Sequence, residues 1–295
     1  MKLFEKTLKI NGRTHIYFCG IKILSYKTNM QKFLWWGKQI PDWNNLPITP
    51  LEENTSRTGG EHFYLPKIAI IYPAYYQHND FSNLYNLIEK YEKEYSEEGK
   101  KEMEIILVDD GSKFPINLPK NCNLNISLLR ILKDIPWNNS GARNLGVCYT
   151  NAPKIILADI DFFVPEDTML YCKNFAIQDN DLLTLTHKGK TVPHPNIFAM
   201  TKRGFMKVNG YDEQWCGFYG EDIPFRIRLE KHKINFIGTN KFIINMSGKE
   251  HEHSLSRNLA LLESHLRSWD GNTTHKMLQF PWTFVEERKY KGAKK

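Results

Sequence analysis

The chain has 295 residues, 41% of them hydrophobic and 25% charged. That balance builds one large domain or two smaller ones and excludes a disordered tail, a collagen-like repeat and a disulfide-stapled miniprotein. The formal excess of positive charge is seven. Residues 1–40 carry all of it, with eight Lys or Arg against Glu5 alone.

Those N-terminal charges (Lys2, Lys6, Lys9, Arg13, Lys22, Lys27, Lys32, Lys38) alternate with Phe4, Tyr17, Phe18, Tyr26, Phe33, Trp35 and Trp36. Basic and aromatic side chains together suit an anionic lipid headgroup interface. A small β-hairpin or arm packed on the main domain, with its lysines in solvent, is the equal alternative. Nucleic-acid binding would rest on this segment alone and is not expected. No run of about 18 apolar residues occurs, so no bilayer-spanning helix is predicted. The charged N-terminus lacks the apolar stretch of a secretory signal. The five cysteines (Cys19, Cys122, Cys148, Cys172, Cys216) form no CxxC pair and fit a reducing cytoplasm.

Residues 41–66, with four prolines and two glycines, read as a linker. Ile68–Tyr72 is a buried strand ended by Pro73. Phe81, Leu84, Tyr85, Ile88, Tyr91 and Tyr95 recur at helical spacing, which predicts an amphipathic helix over 81–95. Glu104–Val108 is the next strand, Ile126–Leu132 a third, Ser140–Tyr149 a helix and Ile155–Ala158 a fourth strand. A helix over about 166–177 and a strand Leu182–Thr186 follow. Beyond these come a loop with Pro193, His194 and Pro195, a helix near 221–232, short strands at 234–237 and 241–246, and a helix near 254–269. Alternating strands and helices imply a mainly parallel sheet covered on both faces. Ligands bind such sheets beyond the carboxyl ends of the strands.

Four polar clusters are candidates for chemistry, and two of them, Asp109-Asp110 and Asp159-Ile160-Asp161, stand at such strand ends together with Tyr75-Tyr76. Asp159-Ile160-Asp161 follows a buried strand; it is either a strand-end turn with solvated acids or a pair of oxygen ligands for a hard divalent ion on a diphosphate. Asp109-Asp110-Gly111-Ser112 is a polar turn or a hydrogen-bond acceptor for a base or ribose. Gly220-Glu221-Asp222 opens a helix, where acids complement the helix dipole. A carboxylate there, beside Trp215, Phe218 and Tyr219, also suits a sugar that stacks on aromatic faces and needs a general base. His251-Glu252-His253 places two imidazoles on one side of a strand, for an ion or merely for solvent. Arg143, at the start of its helix, is a diphosphate contact or a surface ion pair.

Together IAIIYPAY (68–75), VDDGS (108–112), GARNLG (141–146) and LADIDFFVP (157–165) resemble glycosyltransferase family 2, with the GT-A fold. The stretch 197–229 resembles the C-terminal motif of β-1,4-galactosyltransferases and bacterial chondroitin-type polymerases. The resemblance covers about residues 66–255. It implies an α/β GT-A domain over 66–270, with a nucleotide-binding part (66–165) and an acceptor-binding part (166–270). A basic aromatic arm and linker (1–65) would precede it and a tail (271–295) follow. It implies inverting transfer of a hexose or N-acetylhexosamine from a UDP-sugar to a glycan or lipid-linked glycan, in bacterial surface polysaccharide or lipooligosaccharide synthesis. The enzyme would be cytoplasmic, peripheral on the inner face of the membrane. Pro73, Ala74 and Tyr75 would border the base, Asp109 or Asp110 would contact uracil or ribose, and Arg143 would lie near the nucleotide. Asp159 and Ile160 would touch the nucleotide sugar, and Asp161 would ligate Mn²⁺ or Mg²⁺. Either His251 or His253 would complete the metal shell. Glu221, with Trp215, Phe218 and Tyr219, would bind the acceptor, and Asp222 would be the base. The rival readings are a sugar nucleotidyltransferase, which would usually carry a Gly-rich loop where this chain has Pro73-Ala74-Tyr75-Tyr76, and an inactive membrane-bound scaffold.

Overall fold

A computed structural model describes residues 66–135, 137–216, 222–247 and 277–292, together with the backbone of three N-terminal strands. Those strands, β1 (Thr7–Ile10), β2 (Arg13–Phe18) and β3 (Ile21–Lys27), form an antiparallel meander within a compact unit of residues 1–42.

Residues 43–295 form the second unit. Its strands are β4 (Ile68–Ala74), β5 (Met103–Asp109), β6 (Ile126–Ile131), β7 (Lys154–Leu157), β8 (Phe162–Phe163), β9 (Asp181–His187), β10 (Pro193–Thr201), β11 (Asn235–Asn245) and β12 (Trp282–Arg288). They make one sheet in the order β12-β6-β5-β4-β7-β10-β9-β11-β8. The block β6-β5-β4-β7 is parallel throughout. The helices are α1 (Ser82–Glu94), α2 (Glu97–Glu102), α3 (Asn139–Tyr149), α4 (Glu166–Asn174), α5 (Lys202–Lys207) and α6 (Asp222–Lys231). The expectation of an α/β fold with a mainly parallel, doubly covered sheet is met.

The uninterrupted apolar run of β4 follows from burial on both faces. Its side chains alternate. Ile68, Ile70, Tyr72 and Ala74 join the core formed with Leu84, Leu87, Ile88 and Tyr91 of α1 and Met169 and Cys172 of α4. Ala69 and Ile71 join the opposite core with Ala142 and Leu145 of α3, Phe205 of α5, and Phe225 and Leu229 of α6. α3 lies so close to β4 that a Cβ on Gly146 would meet Ile71 Cγ2 at 2.4 Å.

Several expectations are corrected. The loop around Pro193 and His194 is the first half of β10. The two short strands near 234–246 are one strand, β11, whose register shifts between Gly238 and Phe242. Residues 271–295 are not only a tail, because β12 pairs with β6 and closes the sheet. The helix near 254–269 lies outside the described residues. Among the described residues no helix is long and apolar enough to cross a membrane.

From β4 the chain builds β5 and β6 on one side, then returns to place β7 on the other. This reversal opens a crevice beyond the carboxyl ends of β4 and β7, where open α/β sheets bind ligands.

Candidate functional site

The two aspartates that end β5 have different fates. Asp109 is 1% exposed. Its carboxylate accepts from the backbone N–H of Ser112 (2.8 Å) and Ile116 (3.3 Å) and is ion-paired to Arg130 on β6. Arg130 also donates to the Ser112 carbonyl at 2.7 Å. Three of the roughly four lone-pair directions of the Asp109 carboxylate are thus spent on the turn and on Arg130. Gly111 completes that turn at φ +71°, where a Cβ would strike the Lys133 carbonyl. Asp110 is buried too, but it is held by different partners. Its backbone N–H donates to the Ala74 carbonyl (2.8 Å), and its carboxylate accepts from Asn138 Nδ2 (2.9 Å). Burial, with the charges of Asp109 and Asp134 adding to it, pushes its carboxyl well above the usual carboxylate range.

Pro73 and Ala74 are buried inside β4, so only backbone could reach a ligand there. Tyr75, next along, is 42% exposed and donates to Asp134 at 3.3 Å. Trp137 precedes Asn138 with a left-handed backbone, φ +53°, and is 48% exposed. Tyr75 is thus within electrostatic reach of Asp110, and Trp137 directly precedes Asn138 in the chain. The sequence pattern did not single out Trp137 or Asn138; the exposed tryptophan just ahead of a helix was the available signal.

Arg143 is 1% exposed, not a surface residue. It pairs with Asp159 at the end of β7, and it donates to the Tyr211 hydroxyl at 2.8 Å. Its neighbour Asn144 donates to the Tyr211 carbonyl (2.8 Å) and to Glu213 (2.9 Å), and accepts from the Tyr211 N–H (2.8 Å). Glu213 in turn accepts from the N–H groups of Leu278 and Gln279. Arg143-Asn144 therefore ties the strand-end carboxylate to the segment before α6 and to the chain that enters β12. Asn144, Tyr211 and Glu213 lie inside the stretches that carry the resemblance, but the sequence assigned them no role, because their partners lie tens of residues away.

Ile160 packs on the core. Asp161, half-buried, accepts from the Met246 N–H through its carbonyl at 2.7 Å. β8 follows at once and pairs with the end of β11. The chain that leaves β11 toward His251 and His253 thus starts beside Asp161; both histidines lie outside the described residues. Among the described residues no cluster of three or more His, Cys, Asp or Glu side chains could hold a metal. Carboxylates such as those of Asp159 and Asp161 are of the kind that a hard, oxygen-liganded cation takes.

Asp222 is the first residue of α6. Burial pushes its carboxyl up; Arg226 and Arg143 pull it down and Asp159 pushes it further up. Asp222 is therefore in electrostatic reach of the Arg143–Asp159 pair, although 63 residues separate Asp159 from it in sequence. Trp215, expected on the acceptor surface, is 2% exposed and belongs to the interior. Phe218, Tyr219 and Glu221 lie outside the described residues.

No family model matches the chain. Over 157 residues, 50% of its length, it is 25% identical to β-1,4-galactosyltransferase 4 of Mus musculus and 26% identical to that of Rattus norvegicus. The chain spans about 40% of the length of these relatives. They are of the same kind as the galactosyltransferases that its stretch 197–229 resembles. Among solved structures it is similar to S. aureus TarS in complex with UDP-GlcNAc, with a TM-score of 0.45 and 15% identity over 65% of this chain and 61% of that one. It is also similar to a Drosophila β-1,4-galactosyltransferase 7 mutant in complex with manganese, UDP-Gal and xylobiose, with a TM-score of 0.42 and 14% identity over 72% and 76%.

Proposed function

We propose that this chain is an inverting GT-A glycosyltransferase that moves a hexose or N-acetylhexosamine from a UDP-sugar to a hydroxyl of a glycan acceptor. What supports the reading most is the Arg143–Asp159 ion pair beyond β7, within electrostatic reach of Asp222 at the start of α6, with Asp161 on the same turn and Asp110 just past β5. These residues come from the ends of β5 and β7 and the starts of α3 and α6. The similarity of half the chain to β-1,4-galactosyltransferases supports the same reading.

In this account Asp110, held by Asn138, receives the uridine between Tyr75 and Trp137. Asp161, with His251 or His253, would hold Mn²⁺ or Mg²⁺, which when bound neutralises the diphosphate. Arg143 fixes Asp159 and adds positive charge at the leaving-group side of the crevice. Asp222 takes the proton of the acceptor hydroxyl as its oxygen bonds to the anomeric carbon and the bond from that carbon to the UDP oxygen breaks. The raised basicity of a part-buried carboxylate suits that task. A single displacement converts an α-linked donor into a β-glycoside. Glu221, Phe218 and Tyr219 border the acceptor. A surface glycan under assembly is the acceptor class that the resemblance favours, and the basic N-terminal unit would hold the enzyme on an anionic cytoplasmic leaflet. The test is a screen of UDP- and GDP-sugars with Mn²⁺, read by nucleotide release. Release of UDP from a UDP-sugar, accelerated by a glycan acceptor, is the expected result; no release from any donor would refute the proposal.

A further inference from the structure

We propose that His194 donates a hydrogen bond through Nε2 to a hydroxyl oxygen of the sugar being transferred, and so helps to decide which sugar is accepted. This rests on the glycosyltransferase reading and adds a residue to which the sequence motifs assign no role.

The placement of His194 is built by the sheet. Phe198 pairs with Thr184 of β9 and with Leu157, the last residue of β7. Pro193 pairs with Thr186. Five steps along β10 are therefore matched by two along β9, and residues 194–197 bow out of the ladder just past the end of β7. On the other side of β9 the ladder shifts at the same place, with Gly238 opposite Thr184 and Phe242 opposite Thr186. Such bulges re-aim side chains and recur beside active sites. Here the bulge carries His194 to Asp159 and Asp222. The imidazole meets the edge of Phe162, which immediately follows the Asp159–Asp161 turn, with ring centroids 4.8 Å apart. Together with Asp222, Arg226, Thr184, Phe198 and Phe225, it also lines a cavity of about 10 Å³. That volume suits about one water. It is no sugar pocket, and it sets His194 and Asp222 on the walls of one small space.

The chemistry of the ring is fixed as well. Nδ1 accepts the Asn196 N–H at 3.2 Å. An imidazole that accepts at Nδ1 carries its proton on Nε2. Burial lowers its tendency to protonate; Arg143, His187 and Arg226 act the same way, and the Asp159 carboxylate opposes them. His194 is thus a neutral donor of fixed tautomer, and among the described residues no hydrogen bond uses Nε2. A neutral N–H on the wall of a cavity shared with Asp222, within electrostatic reach of Asp159, stands in this account on the path of the transferred sugar, and a sugar hydroxyl is the acceptor such a donor fits. A site that loses one partner of such a bond discriminates strongly against the wrong substrate.

The experiment compares the full chain with His194→Phe, which keeps the aromatic edge against Phe162, and His194→Gln, which restores an amide donor. The probes are UDP alone, the best UDP-sugar from the donor screen and the monodeoxy analogues of that sugar. His194→Phe should lower kcat/KM about 10-fold on the parent donor, leave UDP affinity unchanged, and match the wild type on the one analogue that lacks the recognised hydroxyl. His194→Gln should recover most of the loss. An unchanged kcat/KM in His194→Phe, or the same loss on every analogue, would overturn the inference and leave the transferase reading standing. Failure of the wild-type chain to turn over any UDP-sugar would overturn both.

Discussion

Replacing Asp109 and Asp110 separately by asparagine should divide the pair into a structural and a ligand-facing residue. Asp109→Asn turns an acceptor-only group into one whose amide N–H₂ must face either the Ser112 N–H or both the Ile116 N–H and Arg130. Leaving one member of a buried ion pair alone costs about 3–5 kcal/mol. The Arg130 side chain keeps 21% of its exposure, so water takes part of that charge and about 2 kcal/mol is the reasonable share. The lost bond to a backbone N–H, that of Ser112 or of Ile116, adds about 1 kcal/mol. A total of ~3 kcal/mol, at about 2–4 °C per kcal/mol for a domain of this size, lowers the Tm by roughly 6–12 °C. Asp110→Asn keeps an oxygen for Asn138. Its carboxyl is raised by burial, so the ionised form is disfavoured in the folded state, and stability falls as pH rises from the unfolded toward the folded value. A neutral amide removes that penalty, and Asp110→Asn should melt within ~1 kcal/mol of the parent, or higher, at pH 7. It should weaken UDP binding, whereas Asp109→Asn, assayed well below its own Tm, should not. Calorimetric melting and UDP titration read both. A near-parental Tm for Asp109→Asn, or a greater loss for Asp110→Asn, would refute the assignment.

Chelation by EDTA should abolish transfer and Mn²⁺ restore it, and Asp161→Ala should lose most activity with an unchanged Tm; full activity in EDTA would remove the metal from the account. Asp222→Asn should lower turnover by about 100-fold or more with UDP affinity little changed; near-normal turnover would pass the role to Glu221. Because the base must be ionised and its carboxyl is raised, kcat should fall with falling pH along a limb displaced above the usual carboxylate range, and that limb should vanish in Asp222→Asn. Residues 1–40 should give salt-sensitive cosedimentation with anionic liposomes, each basic residue contributing about 1 kcal/mol; equal binding by a chain starting at Leu65 would make the segment a structural arm.

The central strands were legible because both faces are covered and their sequences are nearly all apolar; β4 and β5 could hardly be anything else. β10 was hidden by Pro193 and Pro195, which read as loop and in fact mark the bulge where pairing is suspended. β12 was hidden because, as an edge strand, it has no apolar run or clear alternation, and Glu286, Glu287 and Arg288 look like tail. The crevice was legible in outline, since strand-end acids need a cation or a ligand. The division of labour inside it was not. Asp109 and Asp110 are adjacent and chemically identical, and only Arg130 on the next strand and Asn138 before α3 tell them apart. Trp215 read as a sugar platform because sequence shows an aromatic residue but not which side of it is covered.

The configuration of the product tests the central claim most directly. The chain, supplied with an α-linked UDP-sugar, Mn²⁺ and a glycan acceptor, should give a new linkage whose anomeric proton coupling in NMR is that of a β-glycoside, with UDP released in equal amount. An α-glycoside, or UDP release with no glycoside formed on any acceptor, would contradict a single in-line displacement assisted by Asp222.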